Sequence, residues 1–244
     1  MSQQSVMQQS SAVTRYLIFF QYLGTKYSGV MKAPPHQPLQ GVQNHLEDAV
    51  RRLKPVNEVS VCISSRTDTG VHALCNSAHL DIQRRGDKPP FTEQVLTDAL
   101  NFLLKPEPIR ITRVYCVQKN FHARHRAISR SYVYRLATGL RRHTELPITE
   151  KDLCWTLQDI DVQFWELTFK SRSFLYKQVR RMVGALVAVG RGKLSVSQIH
   201  DLLDSRDTMA YPQNMTAPPY GLFLINVEYK DSDLKPSIWD SDCL

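Results

Sequence analysis

Residues 59–82 read VSVCISSRTDTGVHALCNSAHLDI. Val59–Ser64 is an apolar run of strand length, and Ala78, Leu80 and Ile82 alternate as one face of a second strand. Between them lies a turn of small residues, with Asp68 two places before Gly70 and Arg66 two places before Asp68. Strand, turn and strand make the centre of a larger pattern, and the flanking sequence supplies the rest of it.

Upstream, Arg15–Leu23 (RYLIFFQYL) predicts a strand ending at Gly24. Lys32–Pro38 is a loop. Val42, Leu46, Ala49, Val50 and Leu53 recur at helical spacing, which predicts an amphipathic helix over 41–54. Downstream, Thr92 is the expected N-cap of a helix that turns Val95, Leu96, Ala99, Leu100, Leu103 and Leu104 inward. Ile109–Val117 follows as a strand. The order β-α-β-β-α-β predicts a ferredoxin-like unit, with two helices on one face of a four-stranded sheet. Asp68 then stands at the rim of that sheet.

The second half begins alike. Ser131–Thr138 (SYVYRLAT) is an expected strand, and Trp165, Leu167 and Phe169 alternate in another. Phe174, Leu175, Val179, Met182, Val183, Leu186 and Val187 predict a long helix. Ser195 and Gln198 form a capping box, and Leu222–Tyr229 is the last strand. No amphipathic helix fits between Thr138 and Phe164, so this half should have three strands and lack its first crossover helix. The fold class expected is α+β: two ferredoxin-like α/β sandwich halves with mainly antiparallel sheets flanking a central cleft, the second half incomplete. The divisions are a disordered 1–13, a first half over 14–118, a shortened second half over 119–230 and a tail over 231–244.

The 244 residues carry a net charge of +8, which favours a polyanionic partner, nucleic acid first. Residues 110–144 contain no Asp or Glu, yet include Arg124, Arg126 and Arg130, with Phe121, Tyr132 and Tyr134 interleaved. That composition suits phosphate contacts with base stacking, and equally a solvated basic face. No stretch reaches the length of a membrane span, so no membrane is expected. The five cysteines form no CxxC pair, which argues against a disulfide framework and a zinc knuckle and for a reducing compartment. His122 and His125 have no third ligand near them in sequence, and His72 and His79 are isolated; no metal is expected. There is neither a P-loop nor a GxGxxG, so no nucleotide cofactor is expected.

Three readings compete for Asp68. It can cap a turn, as Asp does before Gly. It can be half of an aspartic-protease dyad, since Asp68-Thr69-Gly70 is the triplet such enzymes use; but no second triplet exists here, and a nearby cation works against proton sharing. It can be a lone nucleophile. Along the long helix of the second half, Arg180 or Arg181 should border the buried stripe and need an acidic partner, for which Asp68 is a candidate.

Several motifs together resemble the tRNA pseudouridine synthase A family, most closely its animal pseudouridine synthase-like branch. They are Ser65–Ala73 (SRTDTGVHA), Asn120–Arg124 (NFHAR) with Ser129–Tyr134, Phe174–Gly184 (FLYKQVRRMVG), and Ala217–Leu222 (APPYGL). They span about residues 15 to 230. The resemblance implies isomerisation of uridine to pseudouridine in tRNA, with no cofactor. It implies Asp68 as nucleophile, Arg66 and Arg180 supporting it, and Tyr132 stacking on the base. Arg124, Arg126 and Arg130 would contact RNA. A homodimer and a mitochondrial address are in keeping with the resemblance, with cytoplasm or nucleus as alternatives. Two departures stand out. Gly29-Val30-Met31 replaces the family's Gly-Trp-Gln, and several tens of residues usual between Leu157 and Phe164 are missing. The alternative function is therefore a catalytically impaired RNA-binding member of the same family.

Overall fold

A computed structural model describes residues 12–235 except 87, 141, 159, 160 and 208. Residues 1–11 of the expected disordered 1–13 and residues 236–244 of the expected tail lie outside these residues. The fold is α+β. Its sheet is mostly antiparallel and contains β1 (Thr14–Tyr22), β2 (Val61–Ile63), β3 (His72–Ile82), β4 (Ile109–Val117), β5 (Ser129–Thr138), β6 (Trp155–Thr156), β7 (Gln163–Ser171) and β8 (Leu222–Glu228). The helices are α1 (Val42–Arg52), α2 (Glu93–Leu103), the single-turn α3 (Ala123–Arg126), α4 (Gln178–Gly190) and α5 (Val196–Ser205).

The first half is ordered β4-β1-β3-β2, every pair antiparallel, as the alternation required. Tyr16, Phe20, Leu46, Leu80, Leu100 and Ile111 are fully buried where α1 and α2 meet this sheet. Thr92 caps α2 by accepting the Val95 N–H at 3.4 Å. Val95, expected inward, is 51% exposed. It lies on the flank of a stripe that needs only Leu96 and Leu100 to reach the core.

The second half joins the first where β8 runs parallel to β3, pairing His72 with Phe223 and Ala73 with Leu224. β5 lies antiparallel to β8 on one edge and antiparallel to β7 on the other. The short β6 extends the β8 side, so this half has four strands where three were expected. Between Thr138 and Gln163 the described residues hold two single 3₁₀ turns and β6, and no α-helix, as the sequence required. α4 starts at Gln178, later than the periodicity predicts. Phe174 and Leu175 precede it, and Lys177 takes a left-handed conformation at φ +56° that breaks the helical path. Val179 and Val183 of α4 enter the core, while Leu186 is exposed and α5 contributes no buried residue. No helix among the described residues is long and apolar enough to cross a membrane.

Candidate active site

The turn between β2 and β3 is fixed before any ligand arrives. The Ser64 N–H donates to Ser77 O at 2.9 Å, and Asn76 Nδ2 donates to Ser65 O at 2.9 Å. The Tyr22 hydroxyl meets Thr67 Oγ1 at 2.7 Å in a buried pair. The Val30 N–H donates to Thr67 O at 3.2 Å, Thr69 Oγ1 to Ser28 O at 2.8 Å, and the Val71 N–H to Asp68 O at 3.1 Å. Gly29 sits at φ +118°, where a Cβ would come within 2.8 Å of Thr67 O. Only glycine brings the 28–31 segment this close. Val30, at the centre of the departure from the family's Gly-Trp-Gln, is fully buried behind the turn.

This frame presents Asp68 to a cleft of about 680 Å³. Its lining includes Arg66, Arg124, Arg130, Tyr132, Arg172 and Arg180. Arg180, from the first turn of α4, places Nη1 at 3.1 Å from Asp68 Oδ2; their side chains are 12% and 28% exposed. The same guanidinium donates through Nε to Ala217 O at 2.7 Å, while the Ala217 N–H donates to Arg180 O at 3.1 Å. The pair therefore ties the first-half turn, α4 and the segment before β8 together. Asp68 Oδ1 makes no hydrogen bond to any described residue. A carboxylate steadied through one oxygen and open through the other is arranged to act on a bound molecule.

Arg66 does not share that role. It is exposed and forms no ion pair with Asp68, so of the two expected partners only Arg180 reaches the carboxylate. Arg66 remains on the cleft wall with its guanidinium free for a ligand. Tyr132 lies in the wall, nearly buried, its ring edge-on to Phe174 at 5.3 Å. Burial pushes its phenol well above the ordinary value. The group is therefore a neutral hydroxyl and an aromatic surface, poorly suited to releasing a proton.

Arg130 spends its guanidinium on the protein. Nη1 donates to Arg172 O at 2.7 Å, Nη2 to Arg124 O at 2.8 Å, and Nε to Ser65 Oγ at 3.4 Å. It shapes the cleft rim. Arg124 is exposed on that rim, whereas Arg126 turns away and faces Asp233 at 3.6 Å. Two residues of helical advance separate them, enough to point them in different directions. Sequence reasoning missed His125, Arg172 and Lys177 as cleft residues. His72, next to the turn in sequence, is fully buried. Its Nδ1 accepts the Gly24 N–H at 3.0 Å, and its Nε2 lies 3.1 Å from Asp152 O. It joins the halves and does not face the cleft.

The expectation that His79 is isolated and that His122 has no third ligand nearby is wrong. Cys62, His79 and His122 place ligand atoms within 4.8 Å of one another, because β2, β3 and the residues after β4 converge. Their bonding nevertheless disfavours a cation. His79 Nδ1 accepts the Ala123 N–H at 3.1 Å, and His122 Nδ1 accepts the Arg124 N–H at 3.2 Å. Each neutral ring therefore carries its proton on Nε2, and His122 presents that N–H to Cys62 Sγ at 3.7 Å.

Comparison with known proteins gives a consistent result. The family model for tRNA pseudouridine synthase matches residues 18–125 and 137–230. The chain is 45% identical to "tRNA pseudouridine synthase-like 1" of Xenopus laevis, covering 92% of this chain and 94% of the relative. It is 41% identical to the Homo sapiens protein of the same name, covering 90% and 91%. It is 33% identical to "tRNA pseudouridine synthase A" of Paramagnetospirillum magneticum, covering 89% and 96%. The alignment with the frog protein runs over 281 positions, 37 more than the 244 residues of this chain, so at least that many face a gap here.

Proposed function

The chain belongs to the tRNA pseudouridine synthase family, and from that premise we propose that it isomerises uridine to pseudouridine in tRNA with Asp68 as the nucleophile. One observation carries the assignment of Asp68. It is the acid that the protein steadies at the floor of a basic cleft, through a single ion pair to Arg180. An ionised carboxylate with one free oxygen can attack the nucleoside. Its oxygen bonds to C1′ of the ribose as the bond from N1 breaks; the uracil turns, and C5 bonds to C1′ as the carboxylate oxygen leaves. The C5 proton is lost and N1 gains one, so the atoms balance without a cofactor.

A uridine inside a stem must leave the stack to reach Asp68. Tyr132 offers the flipped base an aromatic face, and Arg66, free on the wall, can enter the vacated space. Arg124, Arg172 and Lys177 supply positive charge for the flanking phosphates. Arg130 contributes by holding Arg124 and Arg172 in place through their carbonyls. Arg126, paired with Asp233, is a weaker candidate for RNA contact.

The test is pseudouridine formation on a panel of unmodified tRNAs, wild type against Asp68→Ala. Product from wild type alone, with tRNA binding kept in both, supports the assignment. Product from the variant refutes it. The second reading, a member that binds RNA without turnover, draws on the aligned positions this chain lacks. Folded wild type that binds tRNA and yields no product would favour it. A mitochondrial location is part of the same proposal, and fractionation of cells expressing the tagged chain checks it.

A further inference from the structure

Between β7 and α4, residues 172–177 run along the cleft. Two of them turn large side chains into solvent: Leu175 is 70% exposed and Tyr176 is 69% exposed. One apolar side chain in water is ordinary. Two neighbours at the mouth of a basic cleft make a patch that asks for an occupant.

The segment is pinned at both ends. Arg130 Nη1 donates to Arg172 O at 2.7 Å. The Leu175 N–H donates to Gln178 Oε1 at 2.7 Å, and the Gln178 N–H donates to Leu175 O at 3.1 Å. Lys177, left-handed at φ +56°, accepts the Arg181 N–H through its carbonyl at 2.9 Å. Tyr176 is thus fixed in its backbone and open in its side chain, which lowers the ordering cost of binding. The Lys177 ammonium lies over its ring, 4.9 Å from the centre, and the rest of the ring faces solvent.

We propose that Tyr176 stacks on the base of the nucleotide next to the target uridine, with Lys177 on the phosphate that joins the two. This rests on the reading of Asp68 as the nucleophile, which fixes where the target lies. Position is the first argument. Exposure rises from Tyr132, nearly buried in the wall, through Phe174, which meets it edge-on at 5.3 Å, to Tyr176. The open ring therefore stands nearer the mouth than the ring that receives the flipped base, where the strand re-enters solvent. Chemistry is the second argument. An open aromatic face beside Arg172 and Lys177 combines stacking with positive charge, the pairing that binds unpaired nucleotides. Such a platform accepts any base and favours purines, whose flat face is larger.

Tyr176→Trp in the full chain places an indole on the platform. Its fluorescence, after subtraction of the wild-type signal, should be quenched when unmodified tRNA binds. The quench should persist when Asp68→Ala is added, because stacking does not need the chemistry. An unquenched indole in the bound complex overturns the proposal. Tyr176→Ala should raise both KM and the tRNA Kd about 5–150-fold and leave kcat little changed. Tyr176→Phe keeps the ring and should behave as wild type. The exposed control Leu203→Ala on α5 should change neither constant. Melting temperatures should match throughout, since Tyr176 is 69% exposed. A Tyr176→Ala chain that binds as wild type does, or a Tyr176→Phe chain that fails as Tyr176→Ala does, overturns the proposal as well. A fluorescent purine analogue beside the converted uridine should be quenched by wild type and not by Tyr176→Ala; equal quenching by both removes the neighbour from the platform. If Asp68→Ala still makes product while the indole is quenched, the nucleophile is misassigned and the stacking stands.

Discussion

The buried pair between Tyr22 and Thr67 offers a quantitative test of how the Asp68 turn is held. Burial pushes the Tyr22 phenol up to about 12, so the group is a neutral hydroxyl at any working pH. It meets Thr67 Oγ1 at 2.7 Å, one residue before Asp68. Tyr22→Phe removes one hydroxyl and leaves the other buried without its partner, a cost of about 1–3 kcal/mol. Thr67→Val removes the opposite member and should cost about the same. The double variant leaves no hydroxyl unpaired and should lose much less than the sum, giving a coupling of about 1–2 kcal/mol. For a chain of this size, each single variant should melt roughly 2–12 °C lower, at 2–4 °C per kcal/mol. Urea unfolding of the four proteins, with pseudouridine formation measured on each, supplies both readouts. The single variants should also lose turnover, because the turn that aims Asp68 loses one of its anchors. Strict additivity of the unfolding energies would refute the reasoning, since it would mean the two hydroxyls do not depend on each other.

Three further outcomes are expected. Gly29→Ala forces a side chain onto a left-handed backbone and within 2.8 Å of Thr67 O; it should cost about 1–3 kcal/mol and displace the turn, read as a lower melting point together with slower turnover. Unchanged turnover would show that this bracket does not aim Asp68. Arg180→Met removes the carboxylate's ion-pair partner and the Nε bond to Ala217 O, and should cut turnover about 100-fold or more, with tRNA affinity, measured by filter binding, changing far less. An equal loss in both would reassign Arg180 to binding. Burial holds His79 at about 4, against an ordinary 6.5, and lowers His72 and His122 by the same cause. Between about 4 and 6.5 the unfolded chain takes up protons that the folded chain refuses, so this stability is fully present above 6.5 and is lost as pH falls toward 4. Urea midpoints should fall from neutrality down to about pH 5, and less steeply in His79→Gln; an identical slope in the variant would remove His79 from the account.

The sequence made local structure readable where each element answers to its own pattern. The alternation in Arg15–Leu23 and the stripe of 41–54 predict β1 and α1 within two residues, because both bury a full face against the sheet. The place of Asp68 at the rim followed from two strands and a turn. The helical stripe predicted that Arg180 or Arg181 would lie at its edge and need an acid, and the resemblance pointed to Arg180. What escaped depends on distant contacts. Phe174 and Leu175 share the helical spacing of α4, yet the left-handed Lys177 separates them and leaves Phe174 against Tyr132 across the cleft. Arg66 stands as close to Asp68 in sequence as a partner can, yet its side chain lies along the wall and the ion pair comes from 112 residues away. His79 met His122 and Cys62 because three separate segments converge, and no spacing within one segment announces that. The Val30 departure was legible as a difference, but only the fold showed it to be buried behind the turn.

The ion pair that steadies Asp68 also sets when the protein can be competent. Its arginine is made 112 residues after the aspartate, and the Ala217 carbonyl that holds that arginine lies 37 residues further on. At the usual pace of translation, about 5–20 residues per second, roughly 7–30 s separate synthesis of the carboxylate from synthesis of the last group that fixes it. Throughout that interval the nascent chain carries its nucleophile on a turn without the ion pair that steadies it. Until Ala217 has been made, the nascent chain therefore carries Asp68 without the contacts that give it its working geometry.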